Sequence, residues 1–206
     1  MSVVDIDYSL EMYISIAAIM LTWLGCLLII RRDWKHWGLL FLAAAVLGTT
    51  LCYIFVRLHF YSFPYILFRD YVIFPIFVIG HGVPLLILLG VKYSPTKWPH
   101  KIAFYWIIVV LVMAVETLAH NWTRLIKYEL FWHFWDSLTA WWFFFLLFEW
   151  IGAMYIPPHL RKPIPNEAFN FGGWGWLIAH FFMIAGFILA GVYLGFQLGT
   201  EPYKIS

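Results

Sequence analysis

Charge is what this sequence has least of. Only 12% of its 206 residues are Asp, Glu, Lys or Arg, against about a quarter in soluble domains. That is too little charge to coat a globule, so a water-soluble fold is excluded. The basic residues behind the net charge of +2 are scattered between apolar runs, which also excludes a nucleic-acid-binding face. Cysteine is almost missing. Cys26 and Cys52 each sit inside an apolar run, so neither a disulfide framework nor a thiolate metal cage is expected. Residues 1–11 hold Asp5, Asp7 and Glu11 and no basic residue. Without a positive n-region, the first apolar run reads as a retained helix and not a signal peptide. No serine is framed by glycines as a nucleophile elbow requires, and no strand is expected to feed a phosphate-cradling glycine loop.

What is present in abundance is apolar length. Hydrophobic residues make up 64% and aromatics 22% of the chain. A helix of about 20 apolar residues spans a bilayer core at about 1.5 Å per residue. Six runs qualify, at residues 12–30, 37–56, 71–91, 102–122, 137–156 and 173–198. The fold class is therefore all-α, a polytopic transmembrane bundle forming a single domain over 1–206. Arg31, Arg32, Lys35, Lys92, Lys97, Lys101, Arg161 and Lys162 gather at one end of the runs. Arg57, Arg69, Arg124, Lys127 and Lys204 gather at the other. By the positive-inside rule the richer end is cytoplasmic and both termini lie outside; with only five spans the C-terminus would change sides. Trp34, Trp37, Tyr93, Trp98, Trp132, Trp135, Trp174 and Trp176 mark the run ends, where amphipathic rings settle at the headgroup level.

Polar residues inside the runs carry whatever chemistry there is, because a carboxylate exposed to lipid costs kilocalories unless it has a partner. Glu116, His120 and Arg124 follow one another at i, i+4 and i+8, which places them on one helix face. His59, His133 and Asp136 lie at a similar height in the outer loops. The group reads either as a hydrogen-bonded pair orienting the fourth helix, or as a proton, ion or catalytic site. It falls short of a metal centre, which needs three or four converging ligands. Glu149 on the fifth run and His180 on the sixth reach similar depths near the basic-rich end, so a second polar pair is expected there. The third run contains Pro75 and Pro84 with Gly80, His81 and Gly82 between them. Two prolines should kink it and free carbonyls around His81. His81 and His180 share a level suited to axial haem ligation, but no paired-histidine repeat supports it. No cofactor and no metal are expected. Gly175, Ala179, Gly191, Gly195 and Gly199 form a small-residue stripe on the sixth run. Such a stripe lets helix backbones approach closely, on this chain's own helices or, through Gly191, Gly195 and Gly199, on a second copy.

The 63–70 segment, Glu116, and the Trp132-His133-Phe134-Trp135-Asp136-Ser137 stretch together resemble an uncharacterised family of small multi-spanning membrane proteins of spore-forming Firmicutes. The resemblance covers the second to fifth helices. It implies a bacterial plasma membrane, points to Glu116 and the Trp-rich loop, and supplies no reaction. Two functions are then expected as alternatives. One is a non-enzymatic accessory or small transport-like bundle in the lipid bilayer with buried Glu and His sites. The other is a membrane-embedded enzyme acting on a lipid or isoprenoid, with Glu116 and His120 as acid and base.

Overall fold

The computed structural model describes residues 10–129 and 132–169, together with 172–175, 177, 180, 181, 184–186, 188, 191, 192 and 195. Five long helices dominate: α1 (Leu10–Ile30), α2 (Trp34–Arg57), α3 (Ile76–Tyr93), α4 (Trp98–Trp122) and α5 (Phe134–Tyr155). All five are long and apolar enough to cross a membrane. The described residues between 172 and 195 are helical. The rest of the expected sixth run, Gly199 included, lies outside the described residues.

Local chemistry sets the helix ends. Asp33 caps α2 from an extended backbone, its carboxylate accepting the His36 N–H at 3.1 Å; caps of this kind satisfy a donor the first turn leaves orphaned. That backbone N–H holds the Asp33 carboxyl below its usual range. A lowered carboxylate pKa stabilises above the ordinary value, and the contribution fades as pH falls through the folded one. Asp33→Ala should therefore melt earlier than wild type at neutral pH. The gap should narrow as pH drops below the carboxylate range, which thermal unfolding in detergent at both pH values would show.

The third helix is shorter than expected. It starts at Ile76 with Pro75 as its cap residue, because a proline disfavours helical backbone in the residue before it. Only Pro84 is inside the helix, so one internal proline replaces the expected two.

α3 is the packing centre, touching α1, α2 and α5, while α4 packs on α5. Glycines allow the approach. A Cβ on Gly25 of α1 would sit 2.8 Å from Leu85, one on Gly48 of α2 would sit 3.1 Å from Val83, and one on Gly152 of α5 would sit 2.6 Å from Val91. Small residues at such crossings let dispersion act between backbones. Of the expected stripe, a Cβ on Gly191 or Gly195 would meet nothing within 4 Å, whereas one on Gly186, outside the stripe, would lie 3.3 Å from Trp106 of α4. Buried Trp37, Leu88, Val109, Met113, Phe145 and Phe148 fill the core. Leu21, Leu111 and Phe143 point outward, each more than 60% exposed.

Two strands form where none were expected. β1 (Tyr61–Ser62) and β2 (Lys127–Tyr128) pair antiparallel, Tyr61 opposite Tyr128. The ribbon is extended by Tyr65 N–H to the Arg124 carbonyl at 2.8 Å and Glu129 N–H to the Phe60 carbonyl at 2.9 Å. His59, at φ 57°, reverses the chain just after α2. A two-residue strand has too little sequence to show a period-two pattern. The ribbon roofs the Arg57/Arg124 end of the bundle.

At the opposite end, the proline-rich segment after α5 closes the C-terminus of α3. The last four carbonyls of a helix lack partners within it. Here the Gly90 carbonyl accepts from Ser94 N–H and the Val91 carbonyl from Arg161 Nε. The carbonyls of Lys92 and Tyr93 accept from the N–H groups of Lys162 and Ile164. The Arg161 charge also meets the negative end of the α3 dipole.

Candidate functional site

Glu149 is completely buried. Its Oε1 accepts from Lys101 Nζ and from an Arg161 guanidinium nitrogen at 2.9 Å. Its Oε2 accepts from the Tyr105 hydroxyl at 2.6 Å and the same Arg161 nitrogen at 2.9 Å. Lys101 and Tyr105 stand one turn apart on α4, so one helix face delivers both. The expected Glu149–His180 pair does not form: among the described residues, Glu149's donors are Lys101, Tyr105 and Arg161. Lys101 sits just before the fourth apolar run and Arg161 in a loop, so both read from sequence as charges facing water. They turn inward because a buried carboxylate and the open end of α3 leave better partners inside than out. Every polar atom of Glu149 is occupied, which describes a structural lock.

His81 is also accounted for locally. Its Nδ1 lies 2.8 Å from the Phe77 carbonyl one turn back, and its ring packs near Phe41 at 6.0 Å between centroids.

Glu116 is held differently. Its Oε1 accepts from the Tyr128 hydroxyl at 2.7 Å and its Oε2 from Trp141 Nε1 at 2.9 Å. Both donors are neutral. Burial pushes the Tyr128 phenol well above its usual pKa, and the Glu116 charge adds to this, so Tyr128 remains a donor. His120 does not pair directly with Glu116. Its ring stacks on Tyr128 at 4.4 Å, and its Nδ1 accepts the Tyr128 N–H at 3.4 Å. Tyr128 therefore links two residues expected to bond along one helix face.

Arg124 leaves the group altogether. α4 ends at Trp122 and Thr123 is extended, so the i+8 position no longer shares the helix face. The Arg124 backbone N–H and Nε instead reach Glu11 Oε1 at 3.2 and 3.3 Å. His133 and Asp136 are engaged at the start of α5, where Asp136 accepts the His133 N–H at 2.8 Å.

No family profile, curated protein sequence or solved structure matches this chain. The site must be judged on its own chemistry.

That chemistry centres on a cavity of about 160 Å³ between α2, α3 and α5, roofed by the ribbon and Trp132. Gly48, Leu51, Ile79 and Val83 form apolar wall, and Glu116 is among the lining residues. Trp132 is fixed as part of the roof: its Nε1 donates to Ser137 Oγ at 2.8 Å, and its ring stacks on Phe60 at 5.0 Å. A mostly apolar cavity with a few placed polar groups is the usual form of a small-molecule site. Among the described residues, no three His, Cys, Asp or Glu side chains converge as metal ligands. The sequence pointed to Glu116 and to the Trp-rich loop. It gave no hint of Trp141, Tyr61 or the α2–α3 wall, which only the packing brings to the same space.

Proposed function

We propose that this chain is an integral membrane protein whose bundle binds a small apolar or amphiphilic molecule in the cavity beneath the ribbon, with Glu116 accepting from its polar end. One observation carries the reading: Glu116, whose carboxylate has neutral partners, lines a mostly apolar cavity large enough for a benzene-sized group. The activity is non-enzymatic, as an accessory or transport-like ligand-binding bundle. The 173–198 run adds a sixth span, the setting is a bacterial plasma membrane, and the end bearing Arg31, Lys97 and Arg161 faces the cytoplasm. The alternative, a lipid- or isoprenoid-directed enzyme using Glu116 and His120 as acid and base, has weaker support. An acid/base pair must reach one substrate; Glu116 lines the cavity, whereas His120 lies outside its wall against Tyr128.

The test uses 4-bromobenzyl alcohol, whose ring suits the cavity, whose hydroxyl can donate to Glu116 and whose bromine quenches tryptophan. Wild-type protein in detergent should show a saturable quenching component above the linear collisional one. Ala140→Phe, which fills the cavity from a lining position, should keep the fold and lose the saturable component. Identical curves for the two proteins would reject the reading.

A further inference from the structure

Among the described residues, no lysine or arginine pairs with Glu116. Its partners Tyr128 and Trp141 are both neutral, and neither lysine nor arginine is among the residues lining the cavity. The basic residues nearest in sequence are turned elsewhere: Arg124 to Glu11, and Lys127 to the exposed side of the ribbon. Both carboxylate oxygens accept hydrogen bonds, Oε2 from an indole that can only donate, which is how an ionised carboxylate is solvated. When ionised, Glu116 is thus offset only by dipoles among the described residues.

Much of the remaining wall is aromatic. Phe55, Tyr61, Phe63, Trp132, Trp141 and Phe144 line it. Several of these rings are locked against one another: Trp132 lies 4.9 Å from Phe55 and 5.9 Å from Tyr61 between centroids, and Tyr61 lies 5.5 Å from Phe63. The face of an aromatic ring attracts a cation through its quadrupole. The attraction strengthens when water is excluded, and clustered rings recognise quaternary ammonium groups in this way. A neutral apolar ligand would gain from the rings and leave the carboxylate charge unused. An anion would be repelled. An organic cation uses both features at once.

We propose that the cavity selects a small organic ammonium ion, its methyl or alkyl shell against the rings and its charge facing Glu116. This rests on the cavity being a ligand site, as inferred above, and adds the ligand's charge class. The site lies toward the Arg57/Arg124 end of the bundle, beneath the ribbon. Glu116 stands six residues before the end of α4 at Trp122, about 9 Å along the helix axis.

Choline and its uncharged isostere 3,3-dimethylbutan-1-ol separate charge from shape. Each is titrated against the full chain in detergent, reading tryptophan fluorescence and displacement of 4-bromobenzyl alcohol. Choline should displace the bromo-alcohol at a concentration at least about tenfold lower than its isostere, as expected for a charge-assisted contact added to cation–π attraction. Glu116→Gln should erase that preference, and Glu116→Asp should retain part of it. Trp132→Leu should weaken choline more than the isostere, and it keeps the proposal testable if Glu116→Gln folds poorly. Equal binding of choline and isostere by wild type would overturn the ammonium assignment while leaving the cavity a ligand site. So would a preference unchanged in both Glu116→Gln and Trp132→Leu. If neither compound binds and the bromo-alcohol quenches only linearly, both the assignment and the site fall together.

Discussion

Glu149→Gln should be the most damaging isosteric substitution in the chain, lowering stability by about 3–5 kcal/mol. The side chain keeps its volume, so packing does not change. What changes is the charge balance around a position with no solvent exposure, where one carboxylate serves Lys101 and Arg161 together. Removing it leaves two largely buried cations facing each other, and burying an uncompensated charge is far costlier than losing an exposed pair. The same count predicts that Lys101→Met is milder, because Glu149 then keeps Arg161 in a one-to-one pair. It also predicts that Glu149→Leu combined with Lys101→Met and Arg161→Met recovers much of the loss, since a well-packed apolar set can replace a buried ionic one. Thermal unfolding and the monodisperse yield in detergent measure all of this. Equal losses from Glu149→Gln and Lys101→Met would show that charge balance is not what the cluster provides.

Gly152→Ala should come next, and it should destabilise despite the helix propensity it gains. Glycine inside a helix costs about 1 kcal/mol relative to alanine, so alanine at an open position ought to help. At Gly152 the new Cβ would lie 2.6 and 2.8 Å from the two Val91 methyl carbons. Overpacking of this kind costs about 1–3 kcal/mol. Here it pushes α5 from α3 next to the Glu149 cluster, since Arg161 is bound to the Val91 carbonyl, so the net effect is a loss. Gly191→Ala, where a Cβ meets nothing within 4 Å, should be neutral or slightly stabilising. Val91→Ala in the Gly152→Ala background should restore most of the loss, because it removes the two clashing methyl groups. If Gly152→Ala and Gly191→Ala melt alike, the close approach of α3 and α5 is not a constraint on the bundle.

The two sites differ in how much of them could be read from residues alone. Glu116 stood out because a carboxylate inside an apolar run demands a reason, and the Trp-rich loop stood out by composition. The partners of Glu116 could not be read. Trp141 looked like one more aromatic on the fifth run, and Tyr128 like loop; each reaches Glu116 only because α5 packs on α4 and the chain after α4 folds back to pair β2 with β1. For Glu149 the depth was legible and the partner was not. Counting residues along helices suggested His180, while the folded chain used Lys101 and Arg161. A basic residue at a run end has two homes, the headgroup level or the interior. The choice depends on whether an acid and the open end of a neighbouring helix wait inside.

Composition and run length by themselves determined that this chain is mainly helical and roughly where five long apolar helices lie, because burial of backbone polar groups in an apolar setting leaves the helix as the natural solution. They also determined that Glu116 and Glu149 belong to separate sites, since each depth follows from position along its own helix. Which groups meet those carboxylates was decided only by tertiary structure. Pro75 shortened α3, Thr123 turned Arg124 away to Glu11, and the β1–β2 ribbon brought Tyr128 onto Glu116. Contacts between residues far apart in sequence depend on helix rotation and loop path, and neither has a local signature. Glu116 could be found in the sequence, but its two neutral partners and its place among the aromatic residues lining a cavity could be seen only in the fold.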